Sequence, residues 1–256
     1  MFRVVWKSIK DVFDEMFLMI LTNLLWCAIS APLLGLAAYA AIQGAALPAT
    51  ILAMLGVLPL GPANAGIYTI AQRATEGRTS KVSMFFAAMR EHAVFSWKIY
   101  GAWMAGLITI LFNYTFYRDW NSGAGAFMQV LFIYMFFIWL AFLIYLGPLM
   151  LLQSDKRLRT VARNAALMTF GRPIFTLVTL VMMVAISILA MIPGLILLPG
   201  LILFALLSVW GFNATNRLIE EAEERRRKAE EEAAAAAGSA NYSNEKGRGG
   251  QVRPRD

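Results

Sequence analysis

The chain has 256 residues, of which 59% are hydrophobic and 15% charged, with a formal net charge of +7. Soluble domains average about 45–50% apolar and about 25% charged residues, so the composition excludes an ordinary water-soluble fold and makes lipid the solvent for much of the surface. The positive charge then matches an anionic membrane surface, without invoking nucleic acid.

Residues 1–15, "MFRVVWKSIKDVFDE", place Phe2, Trp6, Ile9 and Phe13 at helical spacing, with Arg3, Lys7, Lys10 and Asp14 elsewhere around the helix. This predicts an amphipathic interfacial helix. A charge-free run then extends from 16 to 72. A span needs roughly 20 mostly apolar residues, so the run divides into two, about 16–38 and 49–72. The first begins at "MFLMILTNLLWCAIS" and outruns a signal-peptide core, so it is read as a span and not as a cleaved leader. Cys27, inside it, has no partner for an internal disulfide and reads as a small apolar side chain.

Residues 81–98, "KVSMFFAAMREHAVFSWK", repeat the amphipathic pattern with Val82, Phe85, Met89 and Ala93 in one row. Two further charge-free runs predict spans at about 99–117 and 126–152, separated by "YRDWNSGAG". A third amphipathic segment, 157–170, aligns Leu158, Val161, Ala165 and Met168, with Leu167 and Phe170 interrupting its polar face. The run 173–216 splits at "MIPGLILLPG" into spans at about 173–192 and 196–216.

Residues 217–238 read as a charged helix in which Glu221 with Arg225, Glu223 with Arg227 and Glu224 with Lys228 form i,i+4 pairs, Gly238 stops the helix, and 239–256 read as a disordered tail. The fold class is therefore an all-α polytopic membrane protein of about six transmembrane helices. It also reads as three units of roughly 75 to 80 residues, each an interfacial helix followed by a hairpin.

With six spans, 22 of the 23 Lys and Arg residues fall on one side, and only Arg118 falls on the other. The positive-inside rule makes that side cytoplasmic, with both termini and the three amphipathic helices on it. Lys156, Arg157, Arg159 and Arg163, followed by Arg172, are then placed against the anionic inner leaflet of the bilayer.

Catalytic parts are scarce. No ionisable residue lies inside any predicted span, and the single histidine, His92, sits near an interface. Buried intramembrane charges, paired histidine ligands and a serine–histidine dyad therefore lack their components, and no cofactor is implied. The uncharged polar residues in the spans, Thr22, Asn23, Ser30, Asn64, Asn113 and Gln129, read first as interhelical hydrogen-bonding groups. The Pro and Gly clusters at "LPLGPANAG" and "IPGLILLPG" read as kinks or close-packing points, or as helix interruptions of the kind that bind solutes in transporters.

At "NLLWCAISAP", "LPLGPANAGIYTIAQRATEG" and "YLGPLMLLQSDKRLRTVARNAALMTFGRPIFTLV" the chain resembles the YesL-like family of bacterial integral membrane proteins of unknown function. The matching positions are Asn23, Leu24, Trp26 and Pro32, then Gly61, Pro62 and Tyr68, and finally Gly147, Pro148, Arg172 and Pro173. About twenty extra residues near 36–57 depart from the family pattern and supply a full pair of spans where the family pattern is shorter. The resemblance implies a bacterial plasma-membrane protein associated with carbohydrate uptake and degradation systems.

Three functions follow as expectations. The first is a non-enzymatic accessory or assembly factor of a carbohydrate-uptake system, working with other membrane-transport subunits through its basic face. The second is a small permease for an uncharged solute, built around Pro59–Pro62 and Pro193–Pro199. The third is a membrane-embedded enzyme.

Overall fold

The computed structural model describes residues 2–120, 122–190 and 198–248 and is all-α, with nine helices among them. In chain order these are α1 (Phe2–Asp14), α2 (Met16–Ile42), α3 (Ala46–Thr75), α4 (Val82–Glu91), α5 (Ala93–Arg118), α6 (Gly123–Leu152), α7 (Leu158–Gly171), α8 (Pro173–Ala190) and α9 (Leu198–Arg248). Four of them, α2, α3, α5 and α6, are long and apolar enough to cross a membrane. A fifth candidate is α7 with α8, which are bent by 99° where Pro173 opens α8. A multi-pass helical membrane protein is the architecture that fits. The start of the sixth predicted span, with the "MIPGLIL" turn at 191–197, lies outside the described residues.

The charge-free run 16–72 breaks where two spans require it. The chain turns through Gln43, Gly44 and Ala45, with Gly44 at φ +75°, a left-handed conformation that only glycine adopts cheaply. Residues 81–98 do not form one continuous helix. The chain bends at His92, which ends α4 and starts α5, so the third span begins six residues earlier than its first uncharged residue.

Proline does not break α3, although both Pro59 and Pro62 lie inside it. Pro62 has no N–H to offer the carbonyl of Leu58 one turn back. The indole Nε1 of Trp97 on α5 donates to that carbonyl instead, at 2.8 Å. Gly61, beside it, lets α5 approach, since a Cβ there would stand 3.2 Å from Trp97 and Ser96. Trp97→Phe, which keeps the ring and deletes the donor, is expected to lower stability by about 1 to 3 kcal/mol. Adding Pro62→Ala restores a backbone N–H and should recover most of that loss. Detergent melts in which the double variant is no better than the single one would break the link.

The α5–α6 hairpin is closed by a reciprocal pair. Trp103 Nε1 donates to the Trp139 carbonyl at 3.1 Å, and Trp139 Nε1 donates to the Trp103 carbonyl at 2.9 Å. Gly106 makes room for the Trp139 ring. Helix α8 is joined to α6 by the buried contact of Tyr145 Oη with Thr176 Oγ1 at 2.7 Å.

The apolar stripe expected on α1 is not the face that packs on protein. Trp6 and Phe13 are 66% and 63% exposed, whereas Val4, Ser8 and Val12, on another face, are buried; the Phe2 side chain lies outside the described residues. Asn213 of α9 explains the choice. Its Nδ2 donates to Ser8 Oγ at 3.0 Å and to Asp11 Oδ2 at 2.9 Å, so the polar side of α1 has partners only in that orientation. On α4 the expected row holds, with Phe85 fully buried.

Burial pushes the Asp11 carboxyl above its ordinary value of 3.8, against the opposing pull of the Asn213 hydrogen bond and Lys7. A raised carboxyl favours the docked state when protonated. That contribution is complete below the ordinary carboxylate range and is lost as pH rises through the raised value. Relative to wild type, Asp11→Asn should therefore be most stabilised at neutral pH, with the advantage shrinking on acidification. A melting-temperature difference that does not change with pH would contradict this.

The chain divides into two units, residues 1–215 and 216–256. In the second, α9 continues past Gly238 to Arg248, so the expected stop and the first part of the expected tail are helical; 249–256 lie outside the described residues. Five consecutive alanines ahead of Gly238 supply strong helix propensity against a glycine penalty of about 1 kcal/mol. Of the expected pairs, Glu221–Arg225 is the one that forms among the described residues, at 3.7 Å. Arg227 reaches forward to Glu231 at 3.7 Å and Arg226 to Glu230 at 2.9 Å, and no Glu224–Lys228 ion pair occurs among the described residues.

Candidate functional site

The first unit contains a cavity of about 400 Å³ lined by α2, α3, α5, α6, α8 and α9. That lies within the usual range for small-molecule sites, about 300–1,000 Å³. Among the described residues, no carboxylate, amine, guanidinium or imidazole lines it.

One wall carries the polar and aromatic groups. Asn23 is 1% exposed, and its Nδ2 donates to the Met19 carbonyl at 2.8 Å, which leaves Oδ1 available. Trp26 Nε1 donates to Asn64 Oδ1 at 2.7 Å, which fixes the Asn64 amide and leaves its Nδ2 uncommitted among the described hydrogen bonds. Tyr100 is 1% exposed, and its hydroxyl has no partner of normal length and angle among the described residues, although the Asn64 side chain lies near enough to act as a loose hydrogen-bond partner. A buried hydroxyl is fully satisfied only by an aligned partner. Tyr68 and Trp103 complete this wall.

The positions quoted for the family resemblance separate into three groups. Asn23, Trp26 and Tyr68 line the cavity. Gly61, Pro62, Gly147 and Pro148 are buried at helix crossings, where the Tyr68 ring occupies the space a Cβ on Gly147 would need. Leu24, Pro32, Arg172 and Pro173 are exposed, the last two at the α7–α8 corner. Tyr100 and Trp103 carried no sequence signal beyond their i,i+3 spacing on α5, which puts two aromatic rings on one helical face.

The four basic residues expected at the lipid interface, Lys156, Arg157, Arg159 and Arg163, are all exposed, but they are not four equivalent charges. Lys156 Nζ donates to the carbonyls of Met150 at 2.7 Å and Leu151 at 3.3 Å, capping the C-terminal end of α6, and lies 5.9 Å from the centre of the Phe95 ring. Partial desolvation of the ammonium at those carbonyls pulls its pKa below the ordinary lysine value, although the residue as a whole is exposed. Arg157 pairs with Asp155 at 3.3 Å. The row expected to enter lipid also packs inward: Val161 and Ala165 are buried, while Leu167 and Phe170 are exposed. Helix α7 is thus held by protein contacts on one face and is apolar on a second.

At the α4–α5 bend, His92 stands 3.9 Å from Glu91, with its pKa lowered mainly by burial. No group of three or more His, Cys, Asp or Glu side chains able to hold a metal occurs among the described residues. No family model, curated protein or solved structure matches the chain. The cavity and its wall chemistry therefore carry the functional reading.

Proposed function

We propose that this chain is a bacterial plasma-membrane protein of six spans, with both termini cytoplasmic, that binds an uncharged solute in the central cavity and acts as a small permease and not as an enzyme. The observation that carries this reading is the cavity itself, where helices distant in sequence bring two asparagines, two tyrosines and two tryptophans together without a charge. A charged solute would lose its hydration there with nothing to offset the loss. The resemblance to the YesL-like family and the segregation of Lys and Arg support the membrane and the orientation. The interruptions first expected to form a pathway are less useful: α3 is continuous through Pro59 and Pro62, and Pro193 lies outside the described residues.

A second reading, an accessory factor of a carbohydrate-uptake system, is favoured by one observation. Arg159, Arg163, Leu167 and Phe170 are all exposed on α7, a mixed basic and apolar surface suited to a partner subunit.

Equilibrium binding to the full-length protein in nanodiscs tests the first reading. At least one of a hexose, a polyol, a medium-chain alcohol and a benzoquinone should bind saturably, and their charged analogues should not. Ser187→Phe, which fills the cavity from α8, should abolish that binding without lowering the melting temperature. Charged solutes binding as well as neutral ones would overturn the proposal. For orientation, alkaline phosphatase should be active fused after Ser122 and inactive fused after Asp256; the reverse pattern would sink the topology.

A further inference from the structure

We infer that the occupant of this cavity is a ring-bearing neutral amphiphile whose polar group is a carbonyl, of the quinone or cyclic-ketone kind, and not a free sugar. The inference rests on the reading of the cavity as a binding site and narrows its ligand.

The cavity is asymmetric. Asn23, Trp26, Asn64, Tyr68, Tyr100 and Trp103 come from α2, α3 and α5, whereas the wall from α6, α8 and α9 is mainly leucine, isoleucine, methionine and valine. Ser187 and Ser208 are the polar exceptions on that wall. Both hydroxyls already donate to carbonyls of their own helices, to Met183 at 2.8 Å and to Ala205 at 2.9 Å. A ligand must therefore place its polar group against one wall and its apolar body against the other.

The donors that this wall can still offer a ligand are few. Asn64 Oδ1 is occupied by Trp26, so its amide offers Nδ2. The Tyr100 hydroxyl is buried without an aligned partner among the described residues, and a hydrogen bond to a ligand would satisfy it. These donors match a carbonyl oxygen, which has two lone pairs and no proton, whereas the acceptor lone pairs that remain, on Asn23 Oδ1 and on the tyrosine and serine hydroxyls, are spread over several helices. The Asn23 Oδ1 is the one uncommitted amide acceptor. A hexose would bring more hydroxyls than these groups can pair, and each one left unpaired weakens binding by about 10- to 100-fold. Four aromatic rings on the same wall favour a flat partner that can stack on or pack edge-on to them.

The test uses full-length protein in nanodiscs and three probes: duroquinone, which is a fully substituted ring with carbonyls; n-decanol, an amphiphile without a ring; and glucose. Duroquinone should quench tryptophan fluorescence saturably, because Trp26 and Trp103 line the cavity. It should bind at least about tenfold more tightly than decanol, and glucose should have no effect. Asn64→Leu and Tyr100→Phe should each weaken duroquinone binding by about 10- to 100-fold. Tyr100→Phe should leave the melting temperature of ligand-free protein unchanged or raise it, since it removes a buried hydroxyl that has no aligned partner. A purely structural role for Tyr100 would instead lower the melting temperature and spare the affinity.

Decanol or glucose binding more tightly than duroquinone, with Ser187→Phe blocking it, would overturn the carbonyl assignment and leave the cavity reading standing. Duroquinone binding indifferent to Tyr100→Phe and Asn64→Leu would also overturn the assignment. If no probe binds saturably, or if Ser187→Phe leaves all binding unchanged, both fail together.

Discussion

Replacing Gly147 by valine is expected to remove most of the folded protein from detergent extracts. The ring of Tyr68 sits where any side chain at 147 would have to go. It cannot swing aside freely, because Phe212 packs against it with ring centres 5.8 Å apart, and a Cβ on Gly211 would be only 3.8 Å from the same ring. Overpacking typically costs about 1 to 3 kcal/mol and more where neighbours are fixed, so a cost of at least about 3 kcal/mol is expected here. A total stability of about 5 to 15 kcal/mol leaves little margin for that. Shrinking the partner should help: Tyr68→Ala in the Gly147→Val background is expected to recover folded monomer, read by size-exclusion chromatography and thermal melts. If the double variant is as poor as the sum of the two single ones, the residues are not coupled and the close approach is not the cause.

The second large effect is at Phe85, the side chain that holds α4 onto α3. It is fully buried, and its ring lies so close to Gly66 that a Cβ there would come within 2.7 Å. Phe85→Ala should cost about 3 to 5 kcal/mol, through lost burial and the space left behind. Because α4 is only ten residues long and Phe85 and Ala88 are its buried side chains, the loss should fall first on that helix. Protease cleavage between 76 and 92 should then appear below the temperature of global unfolding. A single cooperative transition, with that segment still protected, would show that α4 is held by other means.

These positions also mark where the sequence was informative. The hairpin of α2 and α3, the corner at Pro173 and the amphipathic character of α1, α4 and α7 follow from charge spacing and turn residues, which are local properties. The orientation of α1 did not. Trp6 and Phe13 mark the stripe of an interfacial helix, but lipid and protein interior are both apolar, so hydropathy does not say which face meets protein. The decision came from Asn213, some two hundred residues away. The cavity was hidden for a related reason. Asn23 and Asn64 stood out as polar residues in apolar helices, yet nothing local shows that α5 would bring Tyr100 and Trp103 beside them. On α7 the expected row is the face that found protein, through Val161 and Ala165, and Leu167 and Phe170 were left outside.

The hydrogen bonds from Asn213 to Ser8 and Asp11 also set an order of events in biosynthesis. A ribosome adding about 5 to 20 residues per second needs on the order of 10 to 40 seconds to get from one partner to the other. Throughout that interval α1 has emerged, but the amide that will orient it has not been made. Val12 can already pack against α2 and α3 in that interval, but Asp11 has only water for a partner there, and Trp6 and Phe13 give the helix a foothold in lipid. The first helix made is thus the one whose polar contacts are completed last, and a chain stalled before residue 213 would leave Ser8 and Asp11 without the Asn213 amide.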